Sequence, residues 1–129
     1  MRAEELKGHL DAVLLAALEG GPRHGYAVIE ALRQSTDGRL DLPTGTIYPA
    51  LRRLEQAGLI AGTWSVVGGR RRREYRLTPA GIRALSGRRA AWHDFSAIVS
   101  AALESASLVN ATLENAALED TACPSPNPA

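Results

Sequence analysis

The sequence predicts a mainly α-helical fold that carries one β-hairpin. Up to residue 57, apolar residues recur every three or four positions, which is the period of a helix with one buried face. Between residues 59 and 77 the period changes to about two, as in a strand, around the turn pair Gly68-Gly69. From Pro79 the helical period returns and continues to Ala116. The predicted order is therefore three short helices, a hairpin and one long helix.

Composition and cysteine usage narrow the class of protein. The 129 residues are 45% hydrophobic, which is enough for one packed core. The single cysteine, Cys123, cannot form an internal disulfide, and the three histidines show no metal-ligand spacing, so no metal site is expected. No apolar run approaches the roughly 18 residues of a membrane span, and we expect a cytoplasmic protein. Because no catalytic triad, phosphate-binding loop or carboxylate pair is recognisable, we expect neither an enzyme nor a cofactor.

The first two helices are predicted over residues 6–19 and 24–34. Glycines and a proline, Gly20-Gly21-Pro22, stop the first. The second has an inner face of four residues, Gly25, Val28, Ile29 and Leu32. A turn cluster follows at residues 35–38, and Leu40 and Leu42 around Asp41 then indicate a very short strand.

A third helix is predicted from Thr44 to Ala57, and Gly58 closes it. Thr44 and Thr46 are both suitable N-caps. Pro49 has no N–H to donate, so it belongs in the first turn, which favours Thr46 as the cap. The face opposite the apolar stripe carries Gly45, Tyr48, Pro49, Arg52, Arg53 and Gln56.

The hairpin carries four consecutive arginines directly after its glycine turn, namely Arg70, Arg71, Arg72 and Arg73. Like charges this close repel one another, so the run predicts an anionic partner. Alternate strand residues point to opposite faces, so two of these arginines are expected to face the partner and two to lie on the other face. Trp64 is expected to anchor the hairpin to the core.

The fourth helix is predicted to begin at Thr78-Pro79, with threonine as the cap and proline at the first position. Its apolar stripe is longer than a small domain can bury, so the same helix of a second chain is expected to cover it. Four residues of that stripe are assigned to dimerisation, Trp92, Phe95, Val99 and Leu103. Trp92 and Phe95 either pack at the dimer seam or line a pocket for a small aromatic or hydrophobic effector.

Charge is divided unevenly along the chain. All fifteen Lys and Arg residues lie at or before Arg89 with nine of the fourteen acidic residues, which leaves residues 1–89 at +6 and residues 90–129 at −5. A basic body with an acidic arm indicates an anionic partner for the body, or else two solvated surfaces of opposite sign. By predicted structure, as distinct from charge, we assign residues 1–78 to a folded domain, 79–118 to the dimerisation helix and 119–129 to a disordered tail.

Three helices followed by a glycine-tipped hairpin are the layout of a winged helix-turn-helix, whose third helix enters the major groove of DNA. Tyr48 can donate to a phosphate, and Arg52 can reach a phosphate or a guanine edge. We therefore expect sequence-specific binding of double-stranded DNA. The alternative is a winged-helix module that binds another protein, without DNA affinity, through its acidic arm.

Three segments of the chain resemble the PadR family of transcriptional regulators. They are Gly21–Tyr26, Leu42–Ile60 and Gly69–Gly81. Trp92 and Phe95 resemble the aromatic pair at the start of that family's dimerising helix. The short C-terminal region is similar to that of the smaller subgroup, which has a single C-terminal dimerisation helix.

The resemblance implies a homodimeric repressor that binds an inverted-repeat operator and is relieved by a small molecule. It also implies that His24 positions the second helix and that Glu55 holds a structural salt bridge. The DNA contacts that it implies are those of Thr44, Thr46, Tyr48, Arg52, Arg70, Arg71, Arg72 and Arg73, with a phosphate contact for Tyr26.

Overall fold

The structure is a computed structural model that describes residue 6 and residues 8–122, with side chains as far as residue 105. Its elements in chain order are α1 (Leu10–Ala17), β1 (Arg23–His24), α2 (Gly25–Ser35), α3 (Thr44–Gln56), β2 (Ile60–Val67), β3 (Arg70–Leu77) and α4 (Pro79–Ala122). The predicted fold class, helices with a β-hairpin wing and a long C-terminal helix, is confirmed. The chain divides into two compact units, one up to Arg89 and one from Ala90 onward.

One hydrophobic core lies between the helices and the base of the sheet. The apolar stripes of α1, α2 and α3 meet there, as their period predicted, and Ile60, Tyr75 and Leu85 close it from the sheet and from α4. Leu6 is also buried, but α1 begins only at Leu10, later than predicted. Gly8 has a φ of 89°, which an α-helix does not accept, so the chain turns before the helix starts.

Helix α3 begins at Thr44 with Pro43 as its cap residue, so the preference for Thr46 as the N-cap is wrong. The carbonyl oxygen of Pro43 accepts hydrogen bonds from the backbone N–H groups of Thr46 (2.9 Å) and Ile47 (3.1 Å). Pro49 therefore lies beyond the first turn, where the N–H that it lacks would have bonded to the carbonyl of Gly45. Gly45 is exposed, so water can satisfy that carbonyl.

The hairpin has the predicted two-residue turn. Gly68 and Gly69 have φ angles of 59° and 78°, the left-handed conformation that such a turn needs at both positions. This turn sets the register, so that Val67 lies opposite Arg70 and Ile60 lies opposite Leu77.

A third strand, β1, adds to this hairpin and gives the sheet order β1-β3-β2. The sequence analysis missed β1 because a two-residue strand shows no period. The strand expected around Leu40 and Leu42 is wrong, although both side chains are buried. There the backbone bonds locally, because the N–H of Leu40 donates to the Thr36 hydroxyl that ends α2 (2.9 Å).

Helix α4 starts with the predicted cap, because the Thr78 hydroxyl oxygen accepts a hydrogen bond from the N–H of Gly81 (3.1 Å). Leu85 in its second turn is buried, so the start of α4 belongs to the first unit, although the sequence analysis assigned it to the dimerisation helix. The helix continues to Ala122, and the rest of the expected tail lies outside the described residues. No helix in the described part of the chain combines the length and the apolar character that crossing a membrane requires.

Candidate nucleic-acid interface

A groove in the first unit brings together most of the residues predicted to contact DNA. It lies between the start of α2, the exposed face of α3 and strand β3, and has a volume of about 700 Å³. Five arginines and one carboxylate line it, so its charge suits an anionic polymer. The lining residues are His24, Gly25, Tyr26, Tyr48, Arg52, Glu55, Trp64, Arg70, Arg71, Arg72, Arg73 and Tyr75.

Tyr48 is held at the floor of this groove by the backbone of Gly25. A Cβ atom at Gly25 would lie 2.5 Å from the Tyr48 ring, so the ring packs directly on the glycine. Tyr26 meets the same ring edge to face, with 6.3 Å between the ring centroids. Burial, and after it the neighbouring Tyr26 hydroxyl, raise the pKa of Tyr48. The phenol of a tyrosine is protonated at neutral pH, and the raised pKa keeps that of Tyr48 so in more alkaline solution, where it can still donate a hydrogen bond.

The two adjacent arginines of α3 have different surroundings. Arg52 is exposed, lines the groove and makes no ion pair with any described residue. Arg53 donates to the Asp11 carboxylate on α1 at 2.5 Å, so it ties α3 to α1. Of the two, Arg52 is the one that an anion in the groove could pair with.

Thr44 and Thr46 lie at the start of α3 but do not line the groove. Thr44 is exposed and Thr46 is half-buried. The first turn of a helix presents backbone N–H groups and the positive end of the helix dipole, and these favour a phosphate group. Thr44 and Thr46 therefore lie at the end of α3 that favours an anion, outside the groove lining.

The four arginines of the wing differ in exposure and in the side chains that they contact. Arg70 and Arg71 are exposed, whereas Arg72 and Arg73 are half-buried. Nη1 of Arg72 lies 2.9 Å from Nε2 of His24, and Arg73 donates to the Glu55 carboxylate on α3. The bond to Glu55 raises the pKa of the Arg73 guanidinium. Arg71 and Arg73 share one face of the strand, as strand alternation predicted, because both lie over the Trp64 ring. Exposure and polar partners divide the four arginines differently, into Arg70 with Arg71 and Arg72 with Arg73.

Two structural roles expected from the sequence are confirmed. His24 caps α2, because its Nδ1 accepts the backbone N–H of Ala27 at 3.3 Å. Glu55 forms a salt bridge, and its partner is Arg73. The first contact is local to the start of α2, and the second joins the wing to α3.

The expectation that Trp64 anchors the hairpin in the core is wrong. Its side chain is 58% exposed, and the Arg71 and Arg73 guanidinium carbons lie 4.7 Å and 5.4 Å from its ring centre. The core ends at the base of the hairpin, at Ile60 and Tyr75, so Trp64 lies too near the tip to reach it. A sequence signal existed, since a two-residue turn at Gly68-Gly69 places Trp64 opposite Arg73.

The second unit presents exposed apolar side chains on α4. Phe95, Val99 and Leu103 are exposed by 56%, 37% and 68%, and Ile98 by 69%. Trp92 is 49% exposed, and its ring lies 6.1 Å from that of Phe95. In the described part of the chain, the residues expected to form the dimer seam are therefore exposed. No group of three potential metal-binding side chains occurs among the residues that the structure describes.

The sequence is similar to those of transcriptional regulators. Residues 14–87 match the family model described as the transcriptional regulator PadR-like family. A transcriptional regulator of Mycobacterium tuberculosis is 42% identical over 74 residues, which are 57% of this chain and 56% of that protein.

Solved structures show the same fold. A PadR family transcriptional regulator from Eggerthella lenta is 36% identical with a TM-score of 0.68, and the match covers 78% of this chain and 87% of that one. A transcriptional regulator from Clostridium thermocellum is 28% identical with a TM-score of 0.70, over 76% of this chain and 96% of that one. These matches extend past the groove into α4.

Proposed function

The chain belongs to the PadR-like family of transcriptional regulators, and on that premise we propose that it is a sequence-specific DNA-binding repressor that acts as a homodimer. The observation that carries this proposal is the groove between α3 and the wing, which five arginines line. A basic groove beside an exposed helix face matches both parts of DNA recognition, contact with phosphates and contact with base edges.

In the proposed complex α3 lies in the major groove. Arg52 and Tyr48 face the bases or the adjacent phosphates, and Thr44 and Thr46 bring the start of the helix to the backbone. The wing arginines contact neighbouring phosphates, and Tyr26 adds a phosphate contact from the start of α2. Phosphate contacts raise affinity for any sequence, so discrimination is assigned to α3.

The proposed dimer forms through the second unit. Four exposed apolar residues of α4 supply its seam, namely Trp92, Phe95, Val99 and Leu103. An exposed apolar surface of this kind is typical of an interface between copies of a chain. A dimer would present two copies of α3 to an inverted-repeat operator. A small aromatic or hydrophobic effector that stacks on Trp92 and Phe95 would relieve repression by changing the spacing of those copies.

Selection from randomised DNA duplexes, followed by fluorescence anisotropy on the selected sequence, tests the proposal. We expect an inverted repeat to be selected and its affinity to fall steeply with salt. The Arg70→Ala/Arg71→Ala double variant is expected to reduce the slope of log affinity against log salt by about two, at roughly 0.9 for each phosphate contact.

The matched control is Arg83→Ala, which removes an exposed arginine of α4 outside the groove lining. It is expected to leave the salt slope unchanged. Failure to select any duplex, with no binding even at low salt, would reject DNA binding and favour the protein-interaction module.

A further inference from the structure

Trp64 lies in an unusual place for a tryptophan of a small domain. It is 58% exposed in a groove that it shares with five arginines, and it contributes nothing to the core. Its contacts in the structure are the Arg71 and Arg73 guanidinium groups, at 4.7 Å and 5.4 Å from the ring centre. The face of an indole ring attracts a cation, so this geometry stabilises both arginine side chains.

One of these two arginines is tied to α3. Arg73 crosses the sheet over Gly62, where a Cβ atom would lie only 2.6 Å from the arginine Nε, and it reaches the Glu55 carboxylate. The two side chains are 31% and 28% exposed. The salt bridge with Glu55 joins the wing to α3 through Arg73. Because Glu55 neutralises this guanidinium, Arg73 adds little net charge to the groove.

The other arginine keeps its charge. Arg71 is exposed and forms no ion pair with the residues that the structure describes. A guanidinium that stacks on an aromatic ring keeps its N–H donors at the edge of its plane, where they can bond to an anion. Stacking also reduces the rotamer freedom that a long side chain loses when it binds.

We propose that Glu55, Arg73 and Trp64 form a positioning relay that runs from α3 to the wing and holds Arg71 in place for a DNA phosphate. Glu55, Arg73 and Trp64 are the positioning residues, and Arg71 makes the contact. The relay rests on the proposed function, because it assigns unequal roles to arginines of the same DNA interface.

The Glu55→Gln variant separates the relay from simple electrostatics. This change removes the one carboxylate that lines the groove, so charge alone predicts tighter binding to DNA. The relay predicts weaker binding to the selected operator, by threefold or more, because Arg73 no longer holds the wing to α3. Glu30→Gln, which removes an exposed carboxylate of α2 outside the groove lining, is the matched charge control. Tighter binding by Glu55→Gln would overturn the relay.

A double-mutant cycle tests the stack itself. Trp64→Leu keeps an apolar side chain without an aromatic face, and we expect operator affinity to fall fivefold or more, with partial recovery in Trp64→Phe. In an Arg71→Ala background the same Trp64→Leu change is expected to have no further effect, since the side chain that it positions is absent. If the double variant instead loses affinity by the product of the two single losses, the two residues act independently and the proposal is overturned. Melting curves confirm that each variant is folded.

A spectroscopic measurement checks the contact without DNA. The chain has two tryptophans, so an NMR spectrum shows two indole N–H signals, and Trp64→Phe identifies that of Trp64. Arg71→Ala is expected to shift the Trp64 signal and to leave the Trp92 signal in place. An unshifted Trp64 signal would overturn the relay even if the wild-type protein binds DNA. Absence of DNA binding by the wild type would instead reject the proposed function.

Discussion

At the residue scale, the groove depends on side chains that one neighbour holds in place. Tyr48 rests on the backbone of Gly25, and Arg73 crosses the sheet over Gly62. In both places a glycine is required because a longer side chain would occupy the space of a functional group. The ordinary reasons for glycine, a turn or a positive φ, do not apply to Gly25, which lies in the first turn of α2.

Gly25→Ala is expected to weaken DNA binding while the fold is retained. The added Cβ would lie 2.5 Å from the Tyr48 ring, so the ring must move out of the position that the proposed DNA contact requires. Alanine is the better helix former by up to about 1 kcal/mol, which offsets part of the packing cost. We expect a three- to tenfold loss of operator affinity, measured by anisotropy, with a melting temperature within a few degrees of the wild type. An unchanged affinity would show that Tyr48 does not contribute from this position.

The Glu19–Arg89 pair makes stability depend on pH at the junction of α1 and α4. Arg89 donates two hydrogen bonds of 2.7 Å to this carboxylate, and these bonds lower the pKa of Glu19. Its contribution is therefore present above the ordinary pKa of a glutamate and is lost as the pH falls through the lowered value. Glu19→Gln is expected to lower the melting temperature slightly at pH 7 and to leave it unchanged at pH values below the lowered pKa. Because the pair is exposed, added salt should also shrink the difference. If the two melting temperatures differ by the same amount at every pH, the effect of Glu19→Gln does not come from the lowered pKa of Glu19.

At the scale of elements, two contacts determine how the wing and α4 leave the core. The Thr78 hydroxyl donates to the carbonyl of Gly58 at 2.7 Å and caps α4 through Gly81. The same short segment thus ends the hairpin, begins the last helix and holds both against the end of α3. Close packing at Gly81 allows this arrangement, because a Cβ atom there would lie 1.9 Å from the carbonyl oxygen of Leu59.

Gly81→Ala is expected to destabilise the protein by about 2–3 kcal/mol, since the backbone at Leu59 must shift to admit the extra methyl group. Gly87→Ala on the same helix is the matched control, because nothing lies within 4 Å of its added Cβ. The control should be neutral or stabilising by about 0.4–1 kcal/mol. Chemical denaturation of both variants measures the free energy of unfolding. Equal effects of the two substitutions would show that the close approach at Gly81 is not the cause.

At the scale of the whole molecule, charge and apolar surface are separated along the chain. Residues 1–89 carry +6 and hold the basic groove, and residues 90–129 carry −5. The described apolar side chains of the second unit are exposed, although burial of such groups is the main source of stability in folded proteins. This separation is what a regulator needs when one unit binds DNA and the other binds a second copy.

Phe95→Glu is expected to weaken the dimer at least tenfold, because a charge in an apolar seam loses its hydration without gaining a partner. Light scattering over a dilution series measures the change. Ala101→Glu is the matched control, since six residues at 100° each place Ala101 well away from the Phe95 side of α4. Operator affinity should fall in parallel with dimerisation. A dimer as stable as that of the wild type would place the seam elsewhere.

What the sequence alone determined is local. Helical period, the Thr78 cap and the Gly68-Gly69 turn each depend on a few neighbouring residues, so they predicted the helices, the hairpin and its two-residue turn. Glu55 was also identified as a salt-bridge residue, but its partner was not.

The tertiary structure decided which side chains meet across elements. Arg73 reaches Glu55 over 18 positions of the chain, and Arg72 reaches His24 over 48. No local pattern encodes such pairs, because they depend on how the sheet packs on the helices. The same packing leaves Trp64 beyond the core. Only the fold could therefore distinguish Arg72 and Arg73, which reach side chains of other elements, from Arg70 and Arg71, which form no ion pair with the described residues.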